Sequence, residues 1–462
     1  MSRKIFLYLS LIFIAFHLLS IFGFFYLPVR NIAFVFILLA TISLAFYKFE
    51  YALLILLAEF LFGQAGHFFE FRNISLRLAL LLSILIFWLI RKIVRKEEFQ
   101  FLKSNIFIYL VILSLFILIA FFKGFIGGNQ KILAIRDFIS YGYFLLVFPL
   151  VDFFKKEENK IHFSKILIVA IVGVSLFTLL NLFLYSQQLV RVHDQYYRWI
   201  RNIAIGKITA LPDNFFRIVF PSHLWLVPVF LILVSCFLTK KIESKLKNNL
   251  LILSILISLA ILTNFSRIYF LALLFGLCFL KINLSWRKWI VSIIFIVLIL
   301  ILEFFLLYFL VTGQLTGGRL LGQRMETIYQ PEEELSALTR LSLLPELKNK
   351  ISENFLFGTG LGTEISFIEP ITQLPKTTYH LDWGWFEMLL ELGFFGLLAY
   401  LIFLANLFYR LFQKICLVKS EEKRLYIGLL AGLASLVLAN LTGPFLFHSL
   451  GIFYQVMVIS FL

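Results

Sequence analysis

Three short stretches of the sequence carry residue types suited to anion binding and proton transfer. Ser266-Arg267 lies where two apolar runs meet with barely any polar connection, so the arginine needs a partner anion or water to compensate its charge. Arg340 lies on a long polar segment downstream. His380 can accept a proton near neutral pH, and Asp382 can orient it if the backbone brings the two together. The alternatives are that Arg267 only anchors the chain at the membrane interface and that His380 has a structural role.

A glycine-rich stretch lies between the last two of these positions. Gly358, Gly360 and Gly362 permit a tight backbone turn whose amide groups are able to face an anion. A purely structural turn is the favoured interpretation. The stretch is not a dinucleotide-binding fingerprint, because no strand precedes it and no suitable helix follows it.

The elements that position these residues are apolar. Hydrophobic residues make up 61% of the 462 residues and charged residues only 15%, so the bilayer must act as the solvent. The basic residues behind the net charge of +16 are scattered between apolar runs, which favours anionic lipid as a partner and argues against nucleic acid. We predict an all-α, polytopic transmembrane helical bundle of about 12–14 spans. The fourteen candidate spans are 5–27, 31–47, 51–65, 78–90, 105–122, 134–152, 166–186, 218–239, 250–264, 268–280, 289–311, 383–409, 425–441 and 445–462.

The chain is predicted to form one transmembrane domain over residues 1–462, with two long outer loops. These are residues 187–217 and the large, partly helical loop 312–382, in which leucines at three- and four-residue steps predict an amphipathic helix with a bend at Pro345. Placing the N-terminus inside puts the lysine clusters in the cytoplasm, in agreement with the positive-inside rule.

Arginine and lysine are distributed differently between the cytoplasmic and outer sides of the predicted membrane topology. Most lysines fall inside, whereas twelve of the eighteen arginines fall outside: Arg30, Arg72, Arg77, Arg136, Arg191, Arg198, Arg201, Arg217, Arg267, Arg319, Arg324 and Arg340. A planar guanidinium matches phosphate oxygens better than an ammonium group does, so the outer face is predicted to bind a phosphorylated ligand. For any single arginine, snorkelling to headgroups or pairing with a loop carboxylate is the competing interpretation.

The order of these features resembles that of the O-antigen ligase and O-antigen polymerase superfamily. The resemblance covers about residues 263–400: Ser266-Arg267 between two spans, Arg340 in a large outer loop, the turn at 355–362, and His380 before the run 386–398. In ligases of this superfamily a small polar residue often follows the histidine, whereas this chain has Leu381. The sequence therefore leaves polymerase and ligase open, and the additional arginines at 187–217 favour the polymerase slightly.

The resemblance implies an inverting, metal-independent glycosyltransferase without a cofactor. It would move an undecaprenyl-diphosphate-linked glycan onto an acceptor glycan-lipid or a lipid A core at the periplasmic face of the bacterial inner membrane. Arg267 and Arg340 would bind the diphosphate, and His380 would activate the acceptor hydroxyl. Around these three catalytic residues, the predicted substrate-binding set is Ser266, Arg136, Arg191, Arg198, Arg201, Arg217 and Asp382. The alternatives are a transporter or flippase of a polyprenyl-linked glycan or other anionic lipid, and a non-catalytic membrane scaffold.

Overall fold

The protein folds as a bundle of α-helices. The computed structural model describes residues 3–238, 244–314, 317–320, 322, 335–370, 372–379 and 381–462. In the first half of the chain the helices are α1 (Arg3–Phe25), α2 (Leu27–Tyr47), α3 (Phe49–Phe62), α4 (Leu76–Arg95), α5 (Asn105–Ile126), α6 (Lys131–Gly142), α7 (Val147–Phe153) and α8 (Glu157–Ser186).

The second half continues the bundle with shorter and broken helices. They are α9 (Gln195–Asn202), α10 (Leu226–Phe237), α11 (Ser244–Asn264), α12 (Arg267–Phe279), α13 (Trp286–Thr312), α14 (Leu335–Glu353), α15 (Gly384–Leu417), α16 (Ser420–Ala439) and α17 (Ser449–Phe461).

The predicted fold class is confirmed. Each of the fourteen apolar segments overlaps a helical part of the described chain, in which eight helical segments are long and apolar enough to cross a membrane. Only 17% of the most apolar window of α13 is buried inside the protein, so its outward side must meet an apolar solvent. By contrast, α17 is almost completely buried and forms the centre of the bundle.

Within the described ranges, three short antiparallel hairpins interrupt the helices, and none of them was expected from the sequence. They pair β1 (Glu70–Phe71) with β2 (Ile74–Ser75), β3 (Lys207–Ala210) with β4 (Phe216–Val219), and β5 (Ile365–Ile368) with β6 (Pro375–Thr378). Strands of two to four residues are too short to give a clear alternation of polar and apolar side chains. The predicted start of a span at residue 218 is therefore wrong, because residues 216–219 belong to β4.

The two ends of the bundle differ in their charged groups. At one end, lysines pair with carboxylates: Lys92 Nζ lies 2.9 Å from Asp152 Oδ2, and Lys156 Nζ lies 2.9 Å from Glu50 Oε1. A cavity of about 390 Å³ opens there and is lined by these paired charges. The positive charges of its lysines are therefore balanced by the carboxylates of its own lining. The two long loops lie at the opposite end, which we call the loop face.

The predicted amphipathic helix of the large loop is confirmed as α14. Leu343 and Leu347 on its buried side pack with Ile365, Phe367 and Leu381 in a small core separate from that of the bundle. The leucine pattern predicted the buried side of the helix only in part, since Leu341 and Leu344 belong to the pattern but are exposed. The small core fixes α14, and with it Arg340, against the start of α15.

Arg77 is an outer arginine that serves the fold rather than a ligand. Its Nε lies 2.6 Å from Glu59 Oε2, its Nη1 donates to Ser449 Oγ at 3.0 Å, and its Nη2 donates to the Gln64 carbonyl at 3.0 Å. The side chain is only 1% exposed. Arg77 therefore joins α3, α4 and α17 at the loop face, and its donors are not directed at a ligand.

We expect Arg77→Lys to destabilise the protein by about 1–3 kcal/mol, because lysine keeps the charge but leaves buried acceptors unsatisfied. Thermal unfolding in detergent measures this loss. Arg72→Lys, in the exposed turn between β1 and β2, is the matched control and should change the unfolding temperature little. Equal unfolding temperatures for the two variants would contradict the assigned role of Arg77.

Candidate functional site

Arg340 and Asp382 form an ion pair at the loop face. Arg340 Nε and Nη2 lie 3.2 and 3.1 Å from Asp382 Oδ2. Their side chains are 31% and 62% exposed, so the pair contributes little to stability but fixes the direction of the guanidinium group. From the sequence we expected Asp382 to orient His380, whereas in the structure its partner is Arg340. His380 lies outside the described residues, so its orientation by Asp382 stays a prediction.

The residues on either side of His380 form hydrogen bonds with side chains of two helices. Tyr379 accepts a hydrogen bond from Arg136 Nη1 on α6, with a distance of 3.3 Å to its hydroxyl oxygen. The backbone amide of Leu381 donates to Glu387 Oε2 on α15 at 2.9 Å, and Leu381 itself is buried. Arg136, predicted to bind substrate, thus contacts the loop segment that leads into His380.

The β3–β4 hairpin carries two basic residues on one side. Thr209 pairs with Arg217 and Lys207 with Val219, so all four residues share one face, while Ile208 and Ile218 are buried on the other. The apolar face therefore anchors the hairpin in the bundle and turns Lys207 and Arg217 outward.

Lys207 lies in the electric field of four charged side chains. Although it is exposed, neighbouring protein removes part of its water shell, and this lowers the pKa of its ammonium group. The positive charge of Arg217 lowers this pKa further, Asp382 raises it, and Arg201 and Arg340 lower it again. We call Arg201, Lys207, Arg217 and Arg340 the basic cluster. Sequence reasoning missed Lys207, because its position beside Arg340 depends on the hairpin.

Arg217 connects this cluster to the break between α11 and α12. Its Nε donates to the carbonyl of Asn264, the last residue of α11, at 2.8 Å. The Nδ2 group of Asn264 lies 3.3 Å from His223 Nδ1, and both residues are buried. The partly buried hydrogen bond from Arg217 therefore joins the hairpin to the helix break.

The break itself consists of two residues. Phe265 has a φ of 46° and stacks on Phe304 at 5.6 Å between ring centroids, while Ser266 is extended and precedes Arg267 at the start of α12. The predicted location of Ser266-Arg267 between two helices is confirmed. Arg267 is half-buried at a helix N-terminus, where the helix dipole also favours negative charge.

The glycine turn does not offer its amides to an anion. The amides of Thr359 and Gly360 donate to carbonyls of α15, at 2.7 and 3.1 Å, and that of Leu361 donates to the Ala120 carbonyl at 3.0 Å. The amide of Gly362 donates to carboxylates of Asp137 and Glu391, both at 3.0 Å. The structural interpretation of this stretch is confirmed, and the possibility of an anion-binding turn is wrong, since protein acceptors already use these donors.

The turn docks where α15 is interrupted. Gly393 has a φ of 71°, so the helix breaks there, and the amides of Phe394 and Phe395 donate to the carbonyls of Phe355 and Leu356 at 2.8 and 3.2 Å. The glycine turn and the broken helix α15 therefore satisfy each other's unpaired backbone amide and carbonyl groups. This reciprocal pairing fixes the large loop to the bundle.

One family model, described as O-antigen ligase, matches residues 252–401. This segment is similar to the O-antigen ligase family. The match confirms the resemblance to the O-antigen ligase and polymerase superfamily, and it indicates a glycosyltransferase-type enzyme that acts on lipid-linked glycans at a membrane. No curated protein matches the chain.

The O-antigen ligase segment contains only part of the site. It includes the helix break with Arg267, the ion pair of Arg340 and Asp382, and the docked glycine turn. The β3–β4 hairpin with Lys207 and Arg217 lies outside it, as does Arg136. Arg191 and Arg198 are exposed on the first long loop, and their predicted contact with substrate stays a prediction.

The part of the chain that the structure describes contains no group of three His, Cys, Asp or Glu side chains arranged to hold a metal ion. The charged groups that the site presents at the loop face are instead mostly basic side chains.

Proposed function

We propose that the protein is a glycosyltransferase that moves an undecaprenyl-diphosphate-linked glycan onto an acceptor sugar at the periplasmic face. The observation that carries this proposal is the basic cluster: the charges of Arg201, Arg217 and Arg340 all act on Lys207, and Arg217 reaches the helix break that bears Arg267. Four cationic side chains and a helix N-terminus at the end of an apolar bundle suit a ligand with a diphosphate headgroup and a polyprenyl tail. The O-antigen ligase family supports the same substrate class.

The transfer is a single displacement with inversion at the anomeric carbon. The acceptor hydroxyl oxygen forms a bond to this carbon, and the bond to the diphosphate oxygen breaks, leaving its electron pair on the diphosphate. His380 takes the hydroxyl proton as general base. Arg267 and Arg340 stabilise the negative charge that grows on the leaving group. Because guanidinium groups supply this charge, the proposed reaction proceeds without a metal.

The side of the membrane on which the site lies is inferred from the different charges at the two ends of the bundle. The lysine-rich end faces the cytoplasm by the positive-inside rule, so the loop face lies in the periplasm. The acceptor is either a second lipid-linked glycan, in a polymerase, or a lipid A core, in a ligase. A deletion strain separates the two: loss of a polymerase leaves single repeat units on the core, and loss of a ligase leaves none.

Purified protein in detergent provides the test of the function. Lipid-linked glycan extracted from a deletion strain is incubated with its acceptor glycolipid, and the product is followed by mass spectrometry. Formation of a new glycosidic bond supports the proposal, because detergent has no compartments between which a transporter could move its substrate. Binding of the lipid without bond formation, in protein that restores glycan production in cells, would favour a transporter or flippase instead.

Lys207 is expected to make ligand binding at the site weaker at alkaline pH. Its pKa lies below the ordinary 10.5, so in the free protein it loses its proton at a lower pH than an isolated lysine does. We expect the affinity for undecaprenyl diphosphate to fall as the pH rises through this lowered pKa, because the charge that binds the anion is lost. Lys207→Arg should move the fall to higher pH, since arginine stays protonated. Identical affinity–pH curves for the two proteins would contradict a role for Lys207.

A further inference from the structure

His67 and Glu70 form a hydrogen-bonded pair on the loop face. His67 Nδ1 lies 2.5 Å from Glu70 Oε1, at the start of the β1–β2 hairpin. The side chains are 43% and 28% exposed, so both reach solvent. This carboxylate-oriented imidazole lies on the loop face, and the function proposed above does not use it.

The backbone that carries this pair is held firmly. Phe68 and Phe69, the residues directly after His67, are each only 1% exposed. Gln64 is buried just before it: its carbonyl accepts from Arg77 Nη2 at 3.0 Å, and its Oε1 accepts from the Ser222 amide at 3.2 Å. Polar side chains of a surface turn are usually mobile, whereas these are placed by buried neighbours on both sides.

The pair lies next to the proposed site. The hydrogen bond from His67 lowers the pKa of Glu70, and the positive charges of Arg30 on α2 and Arg136 on α6 lower it further, against the opposing effect of burial. Arg136 also donates to Tyr379, the residue before His380. One arginine therefore contacts the segment that leads into His380 and also acts electrostatically on Glu70.

The chemistry of the pair suits a hydroxyl group. With Glu70 ionised and the imidazole neutral, Nδ1 donates its proton to the carboxylate, and Nε2 is left as an acceptor. The second oxygen of Glu70 is also an acceptor, and Arg136 is a nearby donor. A sugar presents hydroxyl groups that both donate and accept, so it can satisfy this mixed set. A diphosphate cannot, because Glu70 repels it.

We propose that the His67–Glu70 pair is an acceptor-binding site that hydrogen-bonds a hydroxyl group of the acceptor glycan. This inference rests on the proposed glycan transfer and adds a site for the second substrate, outside the O-antigen ligase segment. The pair orients the acceptor, while the basic cluster holds the diphosphate of the donor.

The test compares His67→Phe and Glu70→Gln with Arg72→Gln, which changes an exposed residue of the same hairpin. The transfer rate is measured against the concentration of acceptor glycolipid, and binding of undecaprenyl diphosphate is measured separately. Each variant of the pair should raise the KM for acceptor roughly ten-fold, the loss of one charge-assisted hydrogen bond, with a smaller change in kcat. The double variant should be no worse than the worse single variant, because either change disables the pair.

The outcomes separate this inference from the function on which it rests. Unchanged acceptor KM in both variants, with normal transfer, overturns the acceptor site and leaves the proposed function standing. A lower unfolding temperature together with weaker undecaprenyl diphosphate binding shows a structural role and also overturns it. Absence of transfer by the unmodified protein removes the proposed function, and the acceptor site with it.

Discussion

Replacing Arg340 by alanine should reduce glycan transfer by a factor of about 100–1000, the usual effect of removing one group that stabilises charge in the transition state. Arg267→Ala should have a similar effect. Both guanidinium groups are needed as the glycosidic bond breaks, because the terminal phosphate of the leaving diphosphate gains an additional negative charge only then. The rate of product formation by purified protein, at saturating lipid-linked glycan, measures this effect.

The surroundings of Arg340 predict how its variants differ. Arg340→Lys keeps the charge but not the planar fork that Asp382 orients, so its activity should fall between those of the wild type and the alanine variant. Asp382→Asn leaves the guanidinium in place but weakens its orientation, and we expect a smaller loss. None of these changes should lower the unfolding temperature much, because the ion pair is exposed.

Lys348→Ala is the matched control for Arg340→Ala. Lys348 is an exposed cation on the same helix, α14, and its loss tests whether any positive charge there matters. Its transfer rate should equal that of the wild type. If Arg340→Ala and Arg267→Ala both retained full activity, the diphosphate would be bound elsewhere and the proposed mechanism would fail.

Features that depend on neighbouring residues in the chain could be predicted from the sequence. Long apolar runs can only be satisfied by helices in a bilayer, so the positions of the helices follow directly. The break at Ser266-Arg267 and the helix that bears Arg340 were located in the same way, from an interrupted apolar run and from leucine spacing. The excess of arginine on one side predicts a binding site at the loop face, and this stays a prediction.

Features that depend on distant parts of the chain could not be predicted. Lys207 joins the basic cluster only because a hairpin of two four-residue strands turns it toward Arg340 and Asp382, more than a hundred residues away. Arg77 has the same sequence signature as the other outer arginines, yet a carboxylate on another helix makes it structural. His67 could not be distinguished from other outer histidines until the hairpin placed Glu70 beside it.

Gly360→Ala should prevent normal folding, with a loss of more than about 4 kcal/mol. Gly360 has a φ of 93°, and a Cβ atom added there would lie 2.5 Å from the Cα atom of Gly124 on α5. Neither backbone can move freely, because the turn also donates hydrogen bonds to α15 and to the carbonyl of Ala120. The amount of monodisperse protein after purification and its unfolding temperature in detergent measure this loss.

Gly128→Ala separates steric overlap from backbone strain. Gly128 has a φ of 99°, close to that of Gly360, but an added Cβ atom there meets no atom within 4 Å. This variant should lose only about 1–2 kcal/mol, the ordinary cost of a left-handed conformation for alanine. Equal losses in the two variants would mean that the turn is not packed against α5. A much larger loss in Gly360→Ala would show that this close backbone contact holds the large loop on the bundle, and with it the helix that carries Arg340.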